Sequence, residues 1–134
     1  MDNIEARLNQ YQPQILSIFR IVFGLLLLQH GFQKWFGFPM PGPASIQLMT
    51  MVGIAGCIEL IAGPLIIIGL FTRYAAFIVA GYTAVGYWML HIPRGWTPMG
   101  NNGSLITAYC FAALLLVFFG GGAWSLDAML RKKT

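Results

Sequence analysis

Charge is what this sequence has least of. Of its 134 residues only 9% are charged, against 57% hydrophobic, where an ordinary soluble domain carries about 25% charged residues. A water-soluble chain of 14.8 kDa with this make-up would leave more apolar surface than one core buries, so the composition points to a membrane. Cysteine is nearly absent as well. Cys57 and Cys110 form no CxxC, which excludes a disulfide scaffold and leaves a dithiol centre unsupported. Both read as small apolar packing residues. No metal-ligand spacing and no glycine-rich phosphate loop occurs. The net charge of +4 is too sparse for a phosphate-binding stripe, which removes nucleic acid from the partners, and disorder is excluded by the same hydrophobicity.

What is present is a set of long apolar runs. They extend from about Ile15 to Phe36, Ile46 to Phe71, Tyr74 to Ile92 and Ser104 to Leu126. Each is long enough to cross a hydrocarbon core of about 30 Å as a helix, the form that satisfies its own backbone there. None alternates as a barrel strand would. The breakers fall between the runs, at Phe38–Pro43, Gly69–Arg73 and Pro93–Gly103, and Gly120-Gly121-Gly122 reads as a helix terminator. The expectation is an all-α integral membrane protein: a single domain over residues 1–134 folded as a four-helix transmembrane bundle.

Residues 1–14 form a polar lead-in in which Ile4, Leu8 and Tyr11 recur at helical spacing. A short helix on the membrane surface and a frayed tail both fit it. A cleaved signal peptide does not, because acidic residues precede the apolar run, Arg20 interrupts it and no small-residue cleavage site follows. Arg7, Arg20, Arg73, Arg131, Lys132 and Lys133 collect on one side of the predicted bundle, Lys34 and Arg94 on the other. The positive-inside rule then puts both termini and the basic tail 127–134 in the cytoplasm. His30, Lys34 and Trp35 after the first span are echoed by His91, Arg94 and Trp96 after the third. This is either the trace of a two-helix repeat or an ordinary interfacial belt.

Ionisable groups inside a span cost about 2.5–3.5 kcal/mol at mid-membrane and need a reason to be there. At 100° per residue, Arg20, Gly24, Leu27, Gly31 and Lys34 share one stripe of the first helix, flanked by His30, with Gln29 and Gln33 largely opposite. Glu59 lies among Val52, Ala55, Gly56, Ala62, Gly63 and Ile66 on the second, and such small residues mark a close helix contact. The third aligns Ala80, Ala84, Tyr87, Trp88 and His91. With a rise of 1.5 Å per residue, Glu59 sits about 9 Å above Arg20 and about 6 Å below His30. It is placed either to pair with Arg20 as a register lock or to reach toward His30. Pro64 adds a freed carbonyl, that of Leu60, beside it.

His30, Lys34 and His91 share a level, so a polar pocket bounded by these three and Glu59 is geometrically allowed. Lys34 and Arg94 read equally as snorkelling anchors, and Gln29 and Gln33 as markers of a helix or subunit contact. Two histidines at one depth also match a b-type haem ligand set, but such pairs arise easily near a membrane surface, and haem is not expected.

The series Arg20, Gly24, His30-Gly31, Lys34, then Glu59, Gly63, Gly69-Leu70-Phe71-Thr72-Arg73, then His91, then Trp124-Ser125-Leu126-Asp127 resembles the DoxX family across roughly residues 15–128. The resemblance implies a small four-helix protein of a bacterial or archaeal cytoplasmic membrane. It also implies an association with quinone chemistry, since relatives are subunits of a terminal quinol oxidase and a thiosulfate:quinone oxidoreductase, and others accompany responses to quinones, catechols or oxidative stress. Arg20, His30, Lys34, Glu59, Arg73, His91 and Asp127 match the family pattern.

The expected activity is therefore that of an accessory or quinone-associated subunit of a membrane redox system, sulfur-compound or quinone-linked. A quinone headgroup would accept hydrogen bonds from His30, Lys34 and His91, with Glu59 as the candidate proton-exchanging catalytic group. Tyr87, Trp88 and Phe32 would supply the apolar walls. The partners implied are the lipid bilayer, redox subunits and further copies of the chain. The alternatives are a non-catalytic scaffold docking a partner through Gln29, Gln33 and the outer loops, and a small-solute carrier with Glu59 and Arg20 lining its path.

Overall fold

A computed structural model describes residues 2–133, apart from the side chain of Lys133. The last residue of the basic tail, Thr134, lies outside the described residues. Among the described residues six α-helices run in order: α1 (Asp2–Gln10), α2 (Gln12–Phe36), α3 (Met51–Ile68), α4 (Thr72–Gly86), α5 (Ser104–Phe119) and α6 (Leu126–Lys133). A π turn at Tyr87–His91 and a 3-10 turn at Ile92–Arg94 extend α4 without a break. The α2, α3 and extended α4 helices are long and apolar enough to cross a membrane, and α5 is a shorter apolar helix of 16 residues. The protein is thus an all-α membrane bundle of four core helices, and the lead-in takes the helical form.

The boundaries follow local chemistry more closely than hydropathy does. α2 carries Pro13 in its first turn, where a missing N–H costs nothing. It stops at Gly37, whose left-handed φ of 64° lets its N–H reach the Gln33 carbonyl. The second span does not start at Ile46. Residues 47–50 form a turn closed by the Thr50 N–H on the Gln47 carbonyl, and Thr50 Oγ1 caps α3 by accepting from the Gly53 N–H at 3.1 Å, so a side-chain cap rather than the apolar run sets the start. The fourth expected span, α5, ends at Phe119, not Leu126, because Gly120 (φ 79°) turns the backbone out of the helix.

α2 and α3 form the closest pair. A Cβ added at Gly24 would stand 2.7 Å from Ile67 Cγ1 and 2.9 Å from the Ile67 nitrogen. One at Gly63 would stand 3.2 Å from Leu28 Cα. Backbones that approach this closely maximise dispersion contacts, the main attraction left between helices when lipid replaces water. Leu27, Ile66, Ala76, Val79, Ala113 and Leu116 make a fully buried core between the four helices. Outside it, Ile61 and Phe77 are each 67% exposed, with Phe111 and Phe118 in the same state. Apolar exposure on this scale is a lipid-facing surface.

The two ends of the bundle are built differently. At the end that carries both termini, the segment after α5 folds back over the helices. The Ala123 N–H donates to the Pro13 carbonyl (3.2 Å) and the Trp124 N–H to Ser17 Oγ (2.9 Å). Asp127 accepts from the Phe71 and Thr72 N–H groups, both at 2.9 Å, and so caps α4 from the far end of the chain. The other end, formed by the 37–50 and 95–103 loops, holds a cavity.

Candidate functional site

Glu59 is 4% exposed on α3, and its partner is Lys34, not Arg20. Lys34 Nζ donates to Glu59 Oε1 at 3.0 Å and to Oε2 at 2.8 Å, and Tyr82 on α4 donates its hydroxyl to Oε1 at 2.7 Å. Three helices therefore meet on one carboxylate. The expected Arg20–Glu59 pair is corrected accordingly. Arg20, 1% exposed, donates to backbone carbonyls: Nη1 to Gly121 at 2.6 Å, Nη2 to Trp124 at 2.9 Å and to Ile67 at 3.3 Å. A guanidinium presents its donors as a fixed fork; the folded-back segment and the end of α3 satisfy its two terminal nitrogens, while Nε has no partner among the described residues. Arg73 is held alike, by the Val117 and Phe118 carbonyls at 2.9 and 2.6 Å.

Above Glu59, toward the loop end, lies a partly open cavity of about 590 Å³. Its polar lining includes His30, Lys34, Glu59 and His91, the four residues that depth matching selected. Three residues expected as walls stand elsewhere. Tyr87 turns aside to Asn101, whose Nδ2 donates to its hydroxyl at 3.2 Å, Trp88 is 66% exposed on the outer surface, and Phe32 packs on Phe36. Tyr82, Tyr109, Met51, Met89, Leu90 and Ile106 line the cavity in their place. For Tyr87 and Trp88 the deviation coincides with the π turn that contains them, which cannot act on Phe32 of α2. A π turn closes each hydrogen bond one residue later than an α turn, so residues after Gly86 lag in rotation about the axis. His91 comes round toward the face that carries Tyr82, which a uniform 100° step does not place beside it.

Both imidazoles are fixed through Nδ1. His30 Nδ1 lies 2.7 Å from the Leu26 carbonyl and His91 Nδ1 3.0 Å from the Asn101 carbonyl. A carbonyl only accepts, so in each ring Nδ1 carries the proton. In the neutral ring, Nε2 is then an acceptor with no partner among the described residues. This reverses the donor role expected of the histidines. Tyr109 stacks edge-on to His30 with ring centres 5.4 Å apart, its hydroxyl 3.5 Å from Nδ1. Among the described residues no three His, Cys, Asp or Glu side chains gather as a metal site. Gln29 and Gln33 border a separate small notch with His30, Pro39 and Met40.

Two contributors escape the helical-stripe reading. Tyr82 carries a signal in the sequence: counted outward from the 69–71 turn, it stands level with Glu59 on the antiparallel neighbour. Asn101, 1% exposed, sits in a glycine-rich loop and has no comparable signal. Its side chain donates to the Gly95 carbonyl (3.0 Å) and accepts from the Gly103 N–H (2.8 Å), while its own carbonyl orients His91.

The DoxX family model matches residues 15–92, a stretch that includes Arg20, His30, Lys34, Glu59, Arg73 and His91. A protein of Haemophilus influenzae described as uncharacterised is 38% identical over 99% of this chain and 100% of its own length. An uncharacterised membrane protein of Mycobacterium tuberculosis is 28% identical over 90% of this chain and 83% of its own. No solved structure matches the chain. A membrane helix bundle with this core, and sequence similarity that runs through the residues lining its cavity, make the chain a member of the DoxX family.

Proposed function

We propose that this protein is a quinone-associated accessory subunit of a membrane redox system, and that the cavity holds the headgroup. One observation carries the reading: a 590 Å³ cavity with mainly apolar walls in which His30, Lys34, Glu59 and His91 converge near one end of the bundle. A volume of this size suits a ring-sized lipophilic ligand with a few polar groups to orient it. Glu59, bonded to Lys34 and Tyr82, is the group placed to exchange a proton with such a ligand. The chain lies in a cytoplasmic membrane with both termini inside. The clustering of Arg7, Arg73, Arg131 and Lys132 at the terminal end, against Lys34 and Arg94 at the other, supports that orientation.

The test is organic extraction of detergent-purified protein, followed by titration with a short-tailed benzoquinone. Retained quinone, lost in Glu59→Gln and His30→Ala while thermal unfolding still shows a folded protein, is the expected result. Wild-type protein that neither retains quinone nor responds to it overturns the reading. A second reading, a scaffold that docks a membrane partner, is favoured by Gln29, a polar side chain left exposed on the loop-end half of an apolar helix. Co-purification of a stoichiometric partner, lost in Gln29→Leu and with no cavity ligand, would select it.

A further inference from the structure

We infer that the cavity discriminates by hydrogen-bond polarity and takes the hydroxylated, reduced form of an aromatic ligand, a diphenol, in preference to its dicarbonyl form. The inference rests on the proposed function, since it specifies which redox form of the same ligand the site holds.

It follows from counting which polar functions the wall has left to offer. Lys34 has three N–H donors, and two are committed to the two oxygens of Glu59. Glu59 Oε1 already accepts twice, from Lys34 and Tyr82, whereas Oε2 accepts once. The donors still available are the third Lys34 N–H and the Tyr109 hydroxyl. The acceptors still available are the Nε2 atoms of His30 and His91 and one lone pair of Glu59 Oε2. A phenolic oxygen and a quinone carbonyl can each accept from the donors, so the donors do not choose between the two forms.

The acceptors do choose. Only a hydroxyl can donate to the two bare imidazole nitrogens, and their polarity is not free to invert in the neutral rings. The Leu26 and Asn101 carbonyls hold the protons on Nδ1. A carbonyl ligand would cover two lone pairs in a largely apolar wall and leave them unpaired, which is the costly arrangement for buried polar groups. The diphenol pairs them.

Equilibrium binding to the full-length protein in detergent, under anaerobic conditions, tests this with three probes of one skeleton: a decyl-substituted benzoquinone, its hydroquinone and the dimethyl ether of that hydroquinone. The hydroquinone is expected to bind at least tenfold more tightly than either of the others. A tenfold preference raises the midpoint potential of the bound couple by about 30 mV. The double variant His30→Phe, His91→Phe should reduce the preference to near unity. The wild-type comparison stands by itself if that variant fails to fold. Quinone binding as tightly as hydroquinone, or the ether matching the hydroquinone, overturns the inference and leaves the proposed function standing. Failure of all three probes to bind overturns both.

Discussion

The two ends of this bundle solve the same problem, a cation at membrane depth, in opposite ways. At the terminal end Arg20 is surrounded by carbonyls of Gly121, Trp124 and Ile67, and the chain closes over it. At the loop end Lys34 is met by the Glu59 carboxylate of a second helix, which also accepts from the Tyr82 phenol of a third, and the chain leaves a cavity beside it. Carbonyls come from backbone that must itself be packed, so satisfying a guanidinium with them pulls the chain shut. Side-chain acceptors reach inward from helices that stand apart, so satisfying an ammonium with them leaves space. The terminal end is closed by backbone, and the loop end keeps an open cavity.

Three substitutions sharpen that contrast. Arg20→Leu has the largest expected effect. It strands several buried acceptors at about 1–3 kcal/mol each, so the yield of monodisperse protein in detergent should fall severely. Survival of a well-folded Arg20→Leu protein would show that the terminal end does not depend on this fork. Next is Asp127→Ala, which removes both caps on the start of α4. Lost charged caps of this kind cost roughly 1–2 kcal/mol. The expected readout is a lower unfolding temperature and earlier proteolytic release of the C-terminal helix, with ligand binding at the loop end unchanged. The smallest effect belongs to Trp88→Ala. This side chain is exposed and stands outside the cavity, so stability should move by less than about 0.5 kcal/mol and ligand affinity not at all. A large loss of affinity in Trp88→Ala would return that residue to the site and contradict the placement by the π turn.

Much of the site was legible in advance, and the reasons are specific. His30, Lys34, Glu59 and His91 were found because polar residues are conspicuous in apolar runs and a constant helical rise converts residue number into depth. The partner of Glu59 was mistaken because depth along the axis put Arg20 and His30 nearest to it, whereas the long Lys34 side chain reaches back from farther along α2, and the demand of Arg20 is met by carbonyls that no side-chain pattern records. The walls expected from Tyr87 and Trp88 were mistaken because hydropathy does not signal where an α-helix widens into a π turn, and Phe32 because it packs on Phe36 along its own helix. The histidines were given the wrong polarity because tautomer depends on what each Nδ1 touches, and for His91 that is a loop carbonyl.

By itself the sequence determined the membrane environment, the four core helices and the height of each polar group, because these depend on composition and on a fixed rise per residue. Only the tertiary structure decided which of those groups meet, which ring nitrogen remains bare and which end stays open. Those outcomes depend on rotation about the helix axes and on where the 120–127 segment folds back, and neither is a property of any one helix.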